Sequence, residues 1–206
     1  MRITKLEPSK HKKGRFLVHL ENGDLLRVGE DELVRFSLYS GMDLDDDTRA
    51  ALEASARTGS LRDKALNALT ARPMSRKELV DKLRARDAGE DEAGEIADWL
   101  ERLGLLNDAE YAKALVQHYA AKGYGPYKIK DELYRRGVPK ALWDDALAES
   151  EDPAEAIDAF LRQKLKGAQP DRKELKRASD ALARRGYRWP DISAALRRYG
   201  AEIEDD

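Results

Sequence analysis

Three segments decide how this sequence folds: Leu79-Val-Asp-Lys-Leu83-Arg-Ala-Arg86, Ile129-Lys-Asp-Glu-Leu133-Tyr-Arg-Arg136 and Ala178-Ser-Asp-Ala-Leu182-Ala-Arg-Arg185. They align without a gap, with apolar residues four apart on one helical face and a basic residue or pair at the end. Leu83 and Leu133 are 50 residues apart, Leu133 and Leu182 49. Self-similarity at a fixed period is the mark of a repeat architecture, in which each unit buries its apolar face against its neighbours. In the second and third copies a glycine follows at once (Gly137, Gly186); in the first, Asp87 stands there.

Outward from these segments, apolar spacing near 3.6 runs through Leu61–Leu69, Ile96–Leu103, Tyr111–Tyr119, Leu142–Leu147, Ile157–Leu161 and Ile192–Tyr199. The pattern predicts three sets of three helices. Ser75 with Glu78 forms a capping box, Gly125-Pro126 starts a helix, and Gly123, Gly137 and Gly186 end helices. The first 59 residues differ. Ile3–Glu7, Arg15–Leu20 and Leu25–Val28 read as strands, and Asn22-Gly23 between the last two suits a type I′ hairpin turn. A short helix follows Gly29, and a second is expected from an Asp45 cap through Arg57.

The expected fold is mainly α: three tandem three-helix repeats in an elongated array, with a small extension that contains a β-hairpin. The boundaries drawn are 1–59 for the extension, then 60–106, 107–150 and 151–206 for the repeats, the last with an acidic tail at Glu202–Asp206.

Of the 206 residues 38% are charged and 41% apolar, so a packed core beneath a heavily solvated surface is expected. The net charge of −2 conceals segregation. Residues 90–101 hold six acidic and no basic residues, whereas residues 162–188 hold ten basic against three acidic. Phosphates sense such a patch and not the total. With no Cys there is neither disulfide nor thiolate metal site, and a reducing cytoplasm is expected. No apolar run approaches a membrane span, and the first residues lack the apolar core of a secretion signal.

Leu106-Asn107-Asp108-Ala109-Glu110-Tyr111-Ala112, then Lys122-Gly123-Tyr124-Gly125-Pro126, then Leu133-Tyr134-Arg135-Arg136-Gly137-Val138, resembles the signature of the RecX family. Gly29–Leu38 and Gly41–Leu44 resemble the β-containing extension of some members. The resemblance covers the whole chain and is strongest over 103–147. It implies a bacterial cytoplasmic modulator of the recombinase RecA, built of three-helix repeats. Members bind the RecA–DNA filament and usually suppress strand exchange, ATP hydrolysis and co-protease activity. The third repeat departs from the pattern, with Lys166-Gly-Ala-Gln-Pro170 in place of Gly-Tyr-Gly-Pro.

Other chemistry finds no support. Gly-Tyr-Gly-Pro follows a helix and lacks the Gly-Lys-Ser/Thr ending of a phosphate loop. The acidic run from Asp43 has Thr48 and Ala54 where a calcium loop needs Gly and Glu. His11, His19 and His118 are scattered, and no nucleophile motif is present. The residues expected to meet a partner or DNA are therefore Tyr124, Lys128, Lys130, Tyr134, Arg135 and Arg136 in the second repeat. In the third they are Lys173, Lys176, Arg177, Arg184, Arg185 and Arg188. Trp143 and Trp189 suit either core or surface. The expected partners are the RecA filament and single- or double-stranded DNA, met by a monomer without metal or small-molecule cofactor. A helix-turn-helix DNA regulator and a helical adaptor with no nucleic-acid role are the alternatives.

Overall fold

β-Branched and aromatic residues set the N-terminal strands: β1 (Ile3–Pro8), β2 (Arg15–Leu20) and β3 (Leu25–Gly29). In this computed structural model, which describes residues 1–150, 152–165 and 170–198, they form an antiparallel sheet of order β1-β2-β3. Ile3, Val18, Leu20 and Val28 share one buried face and pack with Leu38, Leu44, Leu52 and Ala56. The hairpin is not of the expected type I′. That turn needs two residues of positive φ, and here Gly23 alone has it (φ +89). The carboxamide oxygen of Asn22 accepts from the Asp24 amide at 3.1 Å, and the Gly23 amide donates to the Leu20 carbonyl at 3.0 Å. A turn closed by a left-handed glycine results, with Asn22 serving as a side-chain acceptor.

After α1 (Glu30–Arg35), the Asp45 carboxylate accepts from the Thr48 amide at 2.6 Å and opens α2 (Asp46–Ala71). The break expected at Gly59-Ser60 does not occur; α2 runs through it. Gly59 instead gives the sheet a point of attachment. Its carbonyl accepts from Arg15 Nη2 at 3.0 Å. Arg15 also pairs with Asp63, and buried Glu32 accepts from the Gly29 amide at 2.7 Å and the Ser55 hydroxyl at 3.0 Å. These contacts hold the sheet to the middle of α2, a tertiary gain that offsets the ~1 kcal/mol helix cost of glycine.

The remaining helices are α3 (Arg76–Arg84), α4 (Glu90–Arg102), α5 (Asp108–Ala121) and α6 (Pro126–Arg135). After a 3₁₀ turn at Lys140–Leu142 come α7 (Trp143–Ala148), α8 (Pro153–Lys164), α9 (Arg172–Arg184) and α10 (Trp189–Arg198). Capping boxes open α3 and α9, the first of them expected from the sequence. Ser75 and Glu78 exchange bonds at 3.1 Å, and Asp171 and Glu174 do the same at 2.7 and 3.1 Å. Gly137 and Gly186 end α6 and α9 in the left-handed region. Tyr111, Leu115, Ile129, Leu133 and Val138 form the second repeat's core; Ile157, Leu161, Leu182, Tyr187 and Ile192 form the third's.

By packing, the chain forms two units: Met1–Arg72 with Val80–Trp99, and Pro73–Leu79 with the chain from Leu100 onward. The loop expected at Lys166–Gln169, Tyr199 and the acidic tail lie outside the described residues. Among the described residues no helix is long and apolar enough to cross a membrane.

Candidate nucleic-acid interface

The basic helix α6 is placed by a joint with the third repeat. The Gly125 amide donates to the Arg185 carbonyl at 2.7 Å, and the Tyr127 amide donates to the Gly186 carbonyl at 3.1 Å. The approach needs glycine on both sides. A Cβ at Gly125 would lie 2.6 Å from the Gly186 oxygen, and one at Gly186, itself at φ +87, would lie 2.7 Å from Lys128 Cβ. The same joint occurs one repeat earlier. Ser75, which caps α3 as Gly125 caps α6, donates its hydroxyl to the Arg136 carbonyl, and a Cβ on Gly137 would press on Lys77. In the first repeat Asp87 takes the same left-handed position (φ +68), and its carbonyl accepts from Arg57 at 2.7 Å. Gly-Tyr-Gly-Pro is therefore a repeat joint. Two of the amides a phosphate loop would offer are already engaged.

Two expected site arginines turn inward. Arg136 donates through Nε to Glu132 at 2.8 Å and through Nη1 to the Tyr111 hydroxyl at 3.2 Å, with Glu78 Oε1 at 3.5 Å. The Tyr111 hydroxyl in turn donates to Glu78 at 2.9 Å. Bonding to Glu132 raises Arg136 further above its ordinary range, so its charge is permanent. Burial alone would raise the Glu132 carboxyl. Bonds from Arg136 and Tyr119, with the charges of Arg135 and Arg136, outweigh burial and hold it below its ordinary value. Burial, then the neighbouring Glu78 carboxylate, raises Tyr111, which stays a neutral donor. Arg185 lies 4.9 Å over the Phe160 ring and donates to the Gly123 carbonyl at 3.2 Å. Tyr124 packs against Tyr119 in the second repeat's core. Arg136, Arg185 and Tyr124, expected to meet a partner, are thus each half-buried and engaged by groups of the fold itself.

The other residues reach solvent. On α6, Lys128 is exposed, Arg135 is 71% exposed with Glu132 at 3.3 Å, and Tyr134 is 70% exposed. Lys130 pairs with Asp144 at 3.3 Å on the surface, and Arg188 with Asp191 at 3.1 Å. On α9, Ala178 and Leu182 face the core while Lys173, Lys176, Arg177 and Arg184 are exposed. Among the described residues no ion pair engages Lys128, Lys176, Arg177 or Arg184. Two aromatic residues join this surface without having been among the expected site residues: Tyr127, 59% exposed, and Trp189, 48% exposed at the start of α10. The signal for Tyr127 is its seven-residue spacing from Tyr134, which puts both on one helical stripe. Trp143, by contrast, donates its indole N–H to the Val138 carbonyl at 3.0 Å and packs against the second repeat's core.

Fold and surface together define a class: tandem three-helix domains joined by glycine corners, with exposed cations on α6 and α9 and an exposed tyrosine pair on α6. Models of the first and second three-helix domains of RecX match residues 62–100 and 107–147. Regulatory protein RecX of Bacillus subtilis (strain 168) is 30% identical over 99% of this chain and 79% of its own length. That of Halorhodospira halophila is 33% identical over 75% of this chain and 95% of its own. The crystal structure of RecX from Lactobacillus salivarius superposes with a TM-score of 0.63 at 26% identity, covering 69% of this chain and 96% of that one. A further RecX crystal structure, 24% identical, shares the fold with a TM-score of 0.73 over 95% of this chain and 98% of that one. The chain belongs to the RecX family of regulatory proteins.

Proposed function

We propose that this protein regulates RecA by binding the RecA–DNA filament, lowering ATP hydrolysis, strand exchange and co-protease activity. The likeness to RecX regulatory proteins along nearly the whole chain carries the reading. The row of exposed cations on α6 and α9 supports it, because a filament that holds DNA offers phosphates to guanidinium and ammonium groups. The protein acts by binding and not by catalysis, as a single copy in the cytoplasm, without metal or cofactor.

The test is RecA ATPase on single-stranded DNA with the protein titrated in, paired with a strand-exchange assay. Both activities are expected to fall at well below one protein per RecA, the ratio that capping or bridging requires. Unchanged rates in both assays, with folded protein, would remove the reading.

A further inference from the structure

The middle helices of the three repeats are built alike but dressed differently. In register with Tyr127 and Tyr134 of α6 stand Lys77 and Arg84 in α3, and Lys176 and Ala183 in α9. Lys128 and Arg135 correspond to Arg177 and Arg184. The cationic positions thus recur in the third repeat, whereas the aromatic pair belongs to the second alone. Tyr127 and Tyr134 stand on one stripe, seven residues or about 10.5 Å apart at the ~1.5 Å rise of a helix. Both expose more than half their area, with no aliphatic side chain of α6 exposed beside them. Lys130 and Asp131 lie between them, and Lys128 and Arg135 flank them. A protein-binding hot spot usually surrounds its aromatic anchors with an apolar, water-excluding ring. This stripe instead has three cations about it, Lys128, Lys130 and Arg135, against the single carboxylate of Asp131. Flat faces alternating with positive charge suit unpaired bases on their own sugar–phosphate chain.

We infer that the second and third repeats divide the work on a single-stranded nucleic acid: Tyr127 and Tyr134 stack its bases, and Lys176, Arg177 and Arg184 engage its phosphates. The inference deepens the filament reading by adding a direct contact that does not require RecA. At about 3.4 Å per nucleotide, the tyrosine spacing covers roughly three nucleotides of a stacked strand. Duplex DNA, whose base faces are covered, has no use for the stripe.

The experiment is a fluorescence-anisotropy titration of the full chain with a labelled oligothymidylate, without RecA, at several salt concentrations. Tyr127→Ala and Tyr134→Ala are each expected to weaken binding roughly tenfold while leaving the logarithmic salt slope unchanged. Lys176→Gln with Arg184→Gln should weaken it and flatten the slope by roughly 0.7 per lost contact. An abasic oligomer of the same length should bind the parent chain as weakly as the double tyrosine variant binds oligothymidylate, and Tyr134→Trp should retain binding. Failure of the parent chain to bind the oligomer, or parent-like binding by the double tyrosine variant, would overturn the inference. So would tyrosine variants that lose their effect on RecA ATPase yet bind the oligomer normally, since the stripe would then touch protein. None of these results bears on whether the parent chain modulates RecA, which the ATPase titration decides separately.

Discussion

Arg135 and Arg136 are neighbours in sequence with opposite surroundings. Arg135 is 71% exposed and held only by a 3.3 Å contact, whereas Arg136 is 32% exposed and engages Glu132, Tyr111 and Glu78. Removing Arg136 leaves the buried Glu132 carboxylate without its main partner, so Arg136→Ala should cost about 2 kcal/mol in urea denaturation. Arg135→Ala should stay within about 0.5 kcal/mol. Equal effects would mean the network contributes nothing. The pH dependence follows from Glu132. Its carboxyl is held below the ordinary value of 4.5 in the folded state, so its stabilisation is fully present above that value. The stabilisation is lost as pH falls through the depressed folded value. The stability difference between the parent chain and Glu132→Gln should accordingly shrink as pH drops below about 4.5, as read from urea midpoints across an acid series.

At the scale of elements, the joints and the exposed helix faces make different demands. Gly186 ends α9 at φ +87 with Lys128 against it, so Gly186→Ala meets both a strained backbone and a clash. It should cost about 3 kcal/mol. Gly94, in α4 with open space where a Cβ would go, should behave oppositely: Gly94→Ala should raise stability by about 0.5–1 kcal/mol. Thermal melts of the two variants check both signs. On the outer faces, Lys128→Glu with Arg135→Glu, or Lys176→Glu with Arg184→Glu, alters exposed groups and should leave folding nearly unchanged. Either pair should lower affinity for the RecA–DNA filament and flatten its salt dependence, measured by titration at several salt concentrations. Full affinity in both would return these residues to the role of solvated helix surface.

At the scale of the whole molecule, stability should pass between repeats through the joints. Ending the chain at Ser150 removes the Arg185 and Gly186 carbonyls that accept from Gly125 and Tyr127, and uncovers the start of α6. In a repeat array such nearest-neighbour terms are a large part of each unit's stability. The shortened chain should melt at a lower temperature by circular dichroism even though the second repeat keeps its own core. An unchanged midpoint would mean that the joint only orients the repeats. What the sequence determined by itself is what local chemistry records: the 3.6-residue burial of Leu79, Leu133 and Leu182, the caps at Ser75 and Asp45, and the left-handed glycines that end α6 and α9. Each acts within one or two helical turns, so its signal lies within a short window. Tertiary structure decided which arginine of each pair turns inward and why Gly59 does not break α2. The partners responsible lie far along the chain, 25 residues from Tyr111 to Arg136, 62 from Gly123 to Arg185 and 44 from Arg15 to Gly59. Burial beside a distant carboxylate or carbonyl, and not helix periodicity, sets whether a guanidinium braces the fold or faces a partner.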